Sequence, residues 1–446
     1  MFMTVSRTIC LGFLMVISLG TLLLMTPLAV NHGNWAHPLV ALFTSTSAVC
    51  VTGLVVVDTG TYFSAFGQAV IVALIQIGGL GYMTATTFLL LLLGRRLKLK
   101  DRVALQQSMD QTELAGGKSL IGSIIAMTLM FEIAGIFCFY PVFSQEYGSV
   151  RGLWLALFHS VSAFNNAGFS LFPDNIIGYA LHPWINLVIA LLIIFGGLGY
   201  EVIIEMLIAF KGYLQRRGRR PSFSLNYKVV TSTTGTLLGL GTLALLASEF
   251  NNSATLGNLS IPFKVVVAGF QAVVTRTAGF NSVDIGAMGN ASLFIMIALM
   301  FVGASPGGTG GGIKTTTFRI LLASSWTVLQ GKEAVVCYGR QIPPARVLKT
   351  VAVVVGSGLV VILATTLITI CDPELDFIAV FFETVSAFAT VGLSMGITAK
   401  LSAFSQGVII ATMYLGRVGI LLFMAALVGD PKPTAIQYPQ EDLLIG

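Results

Sequence analysis

Residues 50–54 read Cys50-Val51-Thr52-Gly53-Leu54, inside the longer stretch "ALFTSTSAVCVTGLVVVDTG". A transmembrane helix would be better off without Gly53, and a soluble strand would not need so much apolar material on both sides. The same phrase returns three times. "ALFTSTSAVCVTGL", "ALFHSVSAFNNAGFS", "AGFQAVVTRTAGFN" and "VFFETVSAFATVGLS" each carry a phenylalanine (Phe43, Phe158, Phe270, Phe382) nine or ten residues before a glycine (Gly53, Gly168, Gly279, Gly392). Leu or Phe follows each glycine. A lone copy is an ordinary helix-breaking turn, but four at matching spacing form a repeat. A second echo runs through "IQIGGLGYMT", "LIIFGGLGYEV", "LMFVGASPGG" and "MYLGRVGILL", where Gly78, Gly196, Gly303 and Gly416 lie 24 to 28 residues beyond the first set.

The chain has 446 residues, of which 55% are hydrophobic and 10% charged. A soluble domain carries roughly 25% charged residues, so this chain cannot cover a water-facing surface and belongs in a bilayer. Crossing a ~30 Å apolar core takes about 20 residues. Eight stretches qualify as full spans, near 8–29, 66–93, 119–142, 184–211, 227–248, 291–330 (interrupted), 346–371 and 402–428. Four shorter semi-apolar segments, near 38–50, 150–165, 262–275 and 376–389, are expected to be re-entrant. The first apolar stretch, from Ile9 to Val30, is too long for a signal peptide and has no clear cleavage site, so it is expected to be a retained span.

Basic residues gather in "GRRLKLKDR", "KGYLQRRGRR" and "QGKEAVVCYGRQIPPARVLK", all on one side of an eight-span layout. The positive-inside rule makes that side cytoplasmic and puts both termini there. The other side leans acidic, with Asp58, Glu146, Asp174, Glu249, Asp284, Asp372, Glu374 and Asp376. An acidic outer face concentrates cations, although each acid alone is an ordinary solvated loop residue. The net charge of +6 is modest and points to no nucleic acid.

The unit is therefore span, short helix, glycine turn, span. It divides the chain into 1–105, 106–222, 223–335 and 336–446, and makes it an all-α polytopic membrane protein. Repeats of the same orientation arrange around an axis normal to the membrane. Irregular backbone at membrane depth survives only where it is buried in protein or lines a watery cavity. Four turns converging on one axis make a pore lining. A glycine at φ > 0 lets successive carbonyls point inward, where they replace a cation's hydration shell, and each short helix aims its partially negative end at the cavity.

These residues carry a resemblance. "SAVCVTGLVVVDTGTYFSAFGQAVI", "LFHSVSAFNNAGFSLFPDN", "FQAVVTRTAGFNS", "SAFATVGLSMG", "GASPGGTGGGIKTTT" and "LGRVG" resemble the Trk/Ktr/HKT superfamily of potassium transporters, most closely its Ktr membrane subunits, over essentially the whole chain. The resemblance implies four M1–P–M2 units around one pore in a bacterial cytoplasmic membrane. The filter then maps to Val51, Thr52, Gly53 and Leu54; Asn166, Ala167, Gly168 and Phe169; Thr277, Ala278, Gly279 and Phe280; and Thr390, Val391, Gly392 and Leu393. A monovalent cation would be held by their carbonyls only. In the superfamily a serine at the first filter glycine goes with sodium permeation, so Gly53 points to potassium. The resemblance also implies a homodimer, a dimer contact at the C-terminal "YPQEDLLIG", and a cytosolic ring of nucleotide-binding regulatory subunits. With one glycine per repeat instead of TVGYG, the expectation is a potassium preference with sodium leakage or sodium dependence.

The sixth span is broken by Gly303, Pro306, Gly307, Gly308, Gly310, Gly311 and Gly312, which cannot hold a continuous helix. The stretch is either a kink or, as the resemblance also implies, a gating loop under the filter. Lys314 ends it and is expected to meet carboxylates or carbonyls. Arg417, within the eighth span, is expected to face a cavity or partner. It is either an electrostatic barrier or a structural pair for the loop. Arg276 is expected to cap carbonyls at the end of its short helix, and Glu383 to begin a short helix and satisfy amides there. Asn165 and Asn166 are expected to brace the second filter, and Glu132 has no evident partner.

Other classes lack support. The five cysteines form no CxxC pair and the four histidines no HxxxH pattern, so neither a metal site nor another cofactor is expected. There is no HExxH and no nucleophile–base pair, so the chain does not read as an enzyme. No span carries arginine at every third position, and "GGTGGGIKT" lacks P-loop spacing. Regulation must come from outside. The basic connections offer a docking face, and anionic membrane lipid is drawn to them equally. An alternating-access sodium/potassium carrier is the competing reading, because broken helices at mid-membrane suit it too.

Overall fold

A computed structural model describes residues 4–81, 117–214 and 222–429. The connection at 95–102, residues 216–220 and the tail at 438–446 lie outside the described residues. Within them, a three-helix pattern recurs along the chain. Long helices run over Val5–Met25, Gly117–Tyr147, Leu225–Glu249 and Pro344–Cys371. Short helices follow at Pro38–Val49, Ser149–Phe164, Ile261–Val274 and Phe377–Phe388. Closing helices come next, at Ala65–Leu80, Pro183–Leu198, Asn290–Phe301 and Ala403–Val418.

Local chemistry sets several of these boundaries. Thr4 and Ser224 cap their long helices by accepting from the amides of Arg7 and Tyr227. Pro38 and Pro262 stand in the first turn of their short helices, where a missing N–H costs nothing. Gly81, Gly199 and Gly419 end three closing helices at φ 78°, 85° and 87°, a conformation that favours glycine.

Four described helices are long and apolar enough to cross a membrane, or six if each of two bent pairs is one span. Of the eight spans of the sequence analysis, one of them already interrupted, two more are broken by bends. The 184–211 stretch bends by 106° between Leu198 and Tyr200, and the 402–428 stretch by 95° between Val418 and Ile420. Interruption is thus not confined to 291–330, which splits into Asn290–Phe301 and Thr315–Leu329. In the first unit the closing helix ends at Leu80, and most of the remaining 66–93 stretch lies outside the described residues. The described residues also include a small hairpin pairing Val336–Cys337 with Arg340–Gln341. Tyr338 and Gly339, both at positive φ, make its tight turn.

The packing is cyclic. The closing helix of the first unit contacts the short helix of the second, the second closing helix contacts the third short helix, and the third contacts the fourth. The fourth closing helix contacts the first short helix, Pro38–Val49. Trp154 Nε1 donates to Gln68 Oε1 at 2.8 Å across the first junction. At the last one, Tyr414 Oη donates to the Cys10 carbonyl at 2.9 Å and Arg7 Nε to the Ala426 carbonyl at 2.8 Å. Phe43, Phe158, Phe270 and Phe382, the phenylalanines of the repeat, are all buried in one continuous apolar core. Outward faces stay apolar, as with Leu22, Phe137, Leu243 and Leu363, which suits lipid rather than water.

Candidate functional site

The short helices end in four turns of one backbone conformation. The glycines hold φ 93° (Gly53), 72° (Gly168), 69° (Gly279) and 90° (Gly392), and the residues two positions earlier hold φ 57° (Val51), 57° (Asn166), 64° (Thr277) and 51° (Thr390). Three of those four are β-branched, for which positive φ is a true outlier costing about 1–3 kcal/mol. The sequence showed the glycines but not these partners, whose residue types disfavour the conformation they adopt.

The turns close into a ring. A methyl group built on Gly53 would sit 2.5 Å from the Ala167 carbonyl oxygen, one on Gly168 2.9 Å from Ala278 O, and one on Gly279 2.7 Å from Val391 O. One on Gly392 would collide with Thr52 O. Each carbonyl one residue before a glycine therefore lies against the glycine of the neighbouring turn, in chain order, and the last meets the first. All sixteen candidate filter residues are buried except the half-buried Gly392. At each of the four glycines an added Cβ would press within 3 Å of a neighbouring turn's backbone, so a side chain there enters only if the ring shifts.

Serines brace the ring from behind. Ser47 Oγ accepts from the Gly53 amide and Ser386 Oγ from the Gly392 amide, each at 3.1 Å. Ser162 Oγ instead donates to the Phe169 carbonyl at 2.7 Å. The third unit has Val273 at this position. The serine six residues before the glycine was visible in three of the four repeats, and sequence reading passed over it. Asn166 staples the second turn to the third: its Nδ2 donates to Arg276 O and Thr277 Oγ1, both at 3.3 Å. Asn165 Nδ2 reaches the other way, to Gln76 Oε1 and Glu132 Oε1, both at 3.0 Å. That contact supplies Glu132 with the partner it lacked.

Residues 303–314 lie against this ring. A methyl group on Gly310 would strike Thr277, and one on Gly311 would meet Thr390 Oγ1 at 2.6 Å. Thr390 Oγ1 also accepts from the Gly311 amide at 3.0 Å. Ser305 N and Thr309 N donate to the carbonyls of Gly197 and Gly196, at 3.0 and 3.1 Å. Lys314 Nζ donates to Gly310 O at 2.8 Å, so a carbonyl meets it as expected. Gly303, Gly308 and Gly312 pack on backbone or Cβ atoms, and Gly307 on the Tyr200 ring. Pro306 O faces Gly199. Arg417 donates from Nη1 to Thr309 O and from Nη2 to Gly78 O, so it joins the loop to the first closing helix. A cavity of about 610 Å³ is lined by Thr309, Lys314, Arg346, Lys349 and Arg417 with Glu201, and by none of the candidate filter residues. The loop therefore lies between turns and cavity.

The second glycine set also has a physical reason. Methyl groups on Gly78, Gly196 and Gly416 would strike the carbonyls of Val49, Phe164 and Phe388, the last residues of the short helices. Each closing helix crosses its own short helix too closely for a side chain. In the third unit Gly303 meets Gly311 of the loop instead. Two expectations fail. Glu383 lies within Phe377–Phe388 rather than at its start, and accepts from Thr398 Oγ1. Arg276 does not cap its own short helix but donates from Nη1 to Val302 O at 2.9 Å, at the far end of the closing helix.

Helices long enough to cross a membrane, packed in a cycle around converging glycine turns, define a multi-pass membrane transport protein rather than an enzyme. The sequence matches the TrkH family of cation transport proteins over residues 3–432, and the chain belongs to that family. It is 38% identical over 444 residues to the Ktr system potassium uptake protein B of Bacillus subtilis, covering 99% of this chain and 97% of that one. It is 34% identical over 447 residues to the potassium/sodium uptake protein NtpJ of Enterococcus hirae, covering 99% and 97%. Among solved structures, the potassium transporter TrkH of Vibrio parahaemolyticus shares the fold, with a TM-score of 0.70 at 18% identity over 94% of this chain and 85% of that one.

Proposed function

We propose that the chain is a potassium uptake subunit that passes K⁺, channel-like, through the ring of Val51–Leu54, Asn166–Phe169, Thr277–Phe280 and Thr390–Leu393. The observation that carries this is the closed cycle in which each turn's carbonyl lies against the preceding turn's glycine, with the first turn's carbonyl against the fourth turn's glycine. Backbone oxygens gathered in this way suit a dehydrated monovalent cation, and no full negative charge is present at the ring to trap it. The potassium uptake named for the Bacillus relative supports the choice of ion, and the name of the Enterococcus relative supports a role for Na⁺. The four sequence units then act as quarters of one pore. Residues 303–314, with Lys314 and Arg417, act as its gate, since they stand between ring and cavity. The chain works in a bacterial cytoplasmic membrane with both termini inside. It works as a homodimer on a cytosolic nucleotide-binding ring, a partner suggested by the word "system" in the relatives' names.

The test is growth of a potassium-uptake-deficient bacterium on limiting K⁺, with and without Na⁺. The wild-type chain restores growth. Gly53→Ser, whose Cβ meets Ala167 O at 2.5 Å, lowers the K⁺/Na⁺ ratio by roughly tenfold, a change of about 1.4 kcal/mol. Equal permeation of both ions by the wild type sinks the proposal. The broken closing helices also suit an alternating-access carrier. Unitary current steps in a planar bilayer exclude that alternative.

A further inference from the structure

We infer that Arg276 is a positioning residue that ties the third turn of the ring to the root of the 303–314 loop, so that ring and loop change state together. This deepens the proposed function and rests on it. Arg276 is 7% exposed and lies one residue before Thr277, in the third turn itself. Its guanidinium reaches 26 positions along the chain to the Val302 carbonyl, at 2.9 Å. Val302 is where the loop is pinned at both ends: it pairs in parallel with Ile313, and the adjacent Gly303 amide donates to Ile313 O at 2.8 Å. Arg276's own carbonyl accepts from Asn166 Nδ2 at 3.3 Å, across the ring. The next residue, Thr277, packs on Gly310 at the loop's tip. Two adjacent residues thus touch the second turn, the loop's root and its tip.

A cation at membrane depth is costly, and an amide or hydroxyl would cap one carbonyl for much less. Among the described residues, no acid pairs with Arg276. Among those residues Val302 O is the one hydrogen-bond acceptor of its guanidinium, and Nε has no partner. Arg276 and Thr234, whose Oγ1 is also unpartnered, line a cavity of about 20 Å³. A planar fork held at one point beside free volume can pivot with the loop without dismantling a network. Simple capping would call for the opposite, a fully bonded and immobile group.

The experiment compares Arg276→Met and Arg276→Lys in the full chain and in a chain lacking Gly307–Gly312. Rubidium uptake and the K⁺/Na⁺ ratio are measured at matched membrane levels. Methionine removes the bond to Val302, so uptake by the full chain rises roughly tenfold and the K⁺/Na⁺ ratio falls, the size expected for loss of one hydrogen bond made by a charged group. In the loop-deleted chain the same substitution adds no further uptake. Lysine keeps one donor and gives a smaller rise with the same dependence on the loop; it carries the test if the methionine variant does not reach the membrane. An equal effect in both backgrounds, or no effect in the full chain, overturns the link while leaving the gate standing. Loop deletion that leaves uptake unchanged overturns the gate and the link with it.

Discussion

Val51, Thr277 and Thr390 hold positive φ although their branched Cβ atoms resist it, and Asn166 does so at lower cost. Such a conformation persists only where its surroundings over-determine it. Here they do: Thr52 N bonds Ser47 O at 2.8 Å and Gly53 N bonds Ser47 Oγ at 3.1 Å, with Ser386 repeating both for Val391 and Gly392. Ser47→Ala leaves the Gly53 amide buried without its side-chain partner, at a cost of about 1–3 kcal/mol. A lower melting temperature in detergent, together with weaker K⁺ selectivity, is expected; unchanged values of both would remove the serine from the ring's support. This scale was half legible in sequence. Glycine advertises positive φ, whereas valine and threonine advertise the reverse, so only coordinates find the second residue of each turn. Arg276 was visible as an intramembrane charge, but its acceptor is a backbone carbonyl that no sequence pattern marks.

At the scale of elements, the short helices were read almost to the residue, because phenylalanine, proline and glycine fix their faces and ends. The bends at Gly199 and Gly419 were not, since each interrupts a stretch that stays apolar throughout and hydropathy is blind to direction. Arg417 binds two elements at once through its fork. Arg417→Lys keeps the charge and loses that geometry. If Arg417 steadies the loop, lysine raises K⁺ flux nearly as much as alanine does. If it is an electrostatic barrier, lysine behaves as wild type. Flux measured on both variants decides. Outside the membrane, Asp372 joins a long helix to a closing helix by accepting from Ser402 N and Ser402 Oγ, both at 3.1 Å. Burial raises its pKa, but the bonds from Ser405 and Ser402 outweigh that, and the net shift is downward. A carboxyl whose pKa is lowered by folding contributes stability above its unfolded value, near 3.9, and loses it as pH falls through the folded value. Acid melting curves of Asp372→Asn should therefore lose part of the decline seen in wild type below about pH 4. Parallel curves for the two proteins would rule out this contribution.

For the whole molecule, the repeat raised the expectation that four equivalent turns meet, and the four glycine turns do lie against one another. The order of neighbours was not foretold. It follows from each closing helix packing on the next short helix, with the fourth returning to the first. If the quarters are separate packing units, fragments 1–222 and 223–446 expressed together should restore a sizeable part of potassium uptake, and neither should do so alone. Failure of two membrane-inserted fragments to complement would mean that the covalent connection between them is needed for closure.

That closure within one polypeptide sets how the molecule tolerates change. In an assembly of four identical chains, any inherited substitution strikes every quadrant together. Here each quadrant mutates alone, so a lesion is diluted and an innovation stays local. The third sequence unit already shows this licence: it has valine where the other three keep serine, and a long glycine-rich tongue separates its two helices Asn290–Phe301 and Thr315–Leu329.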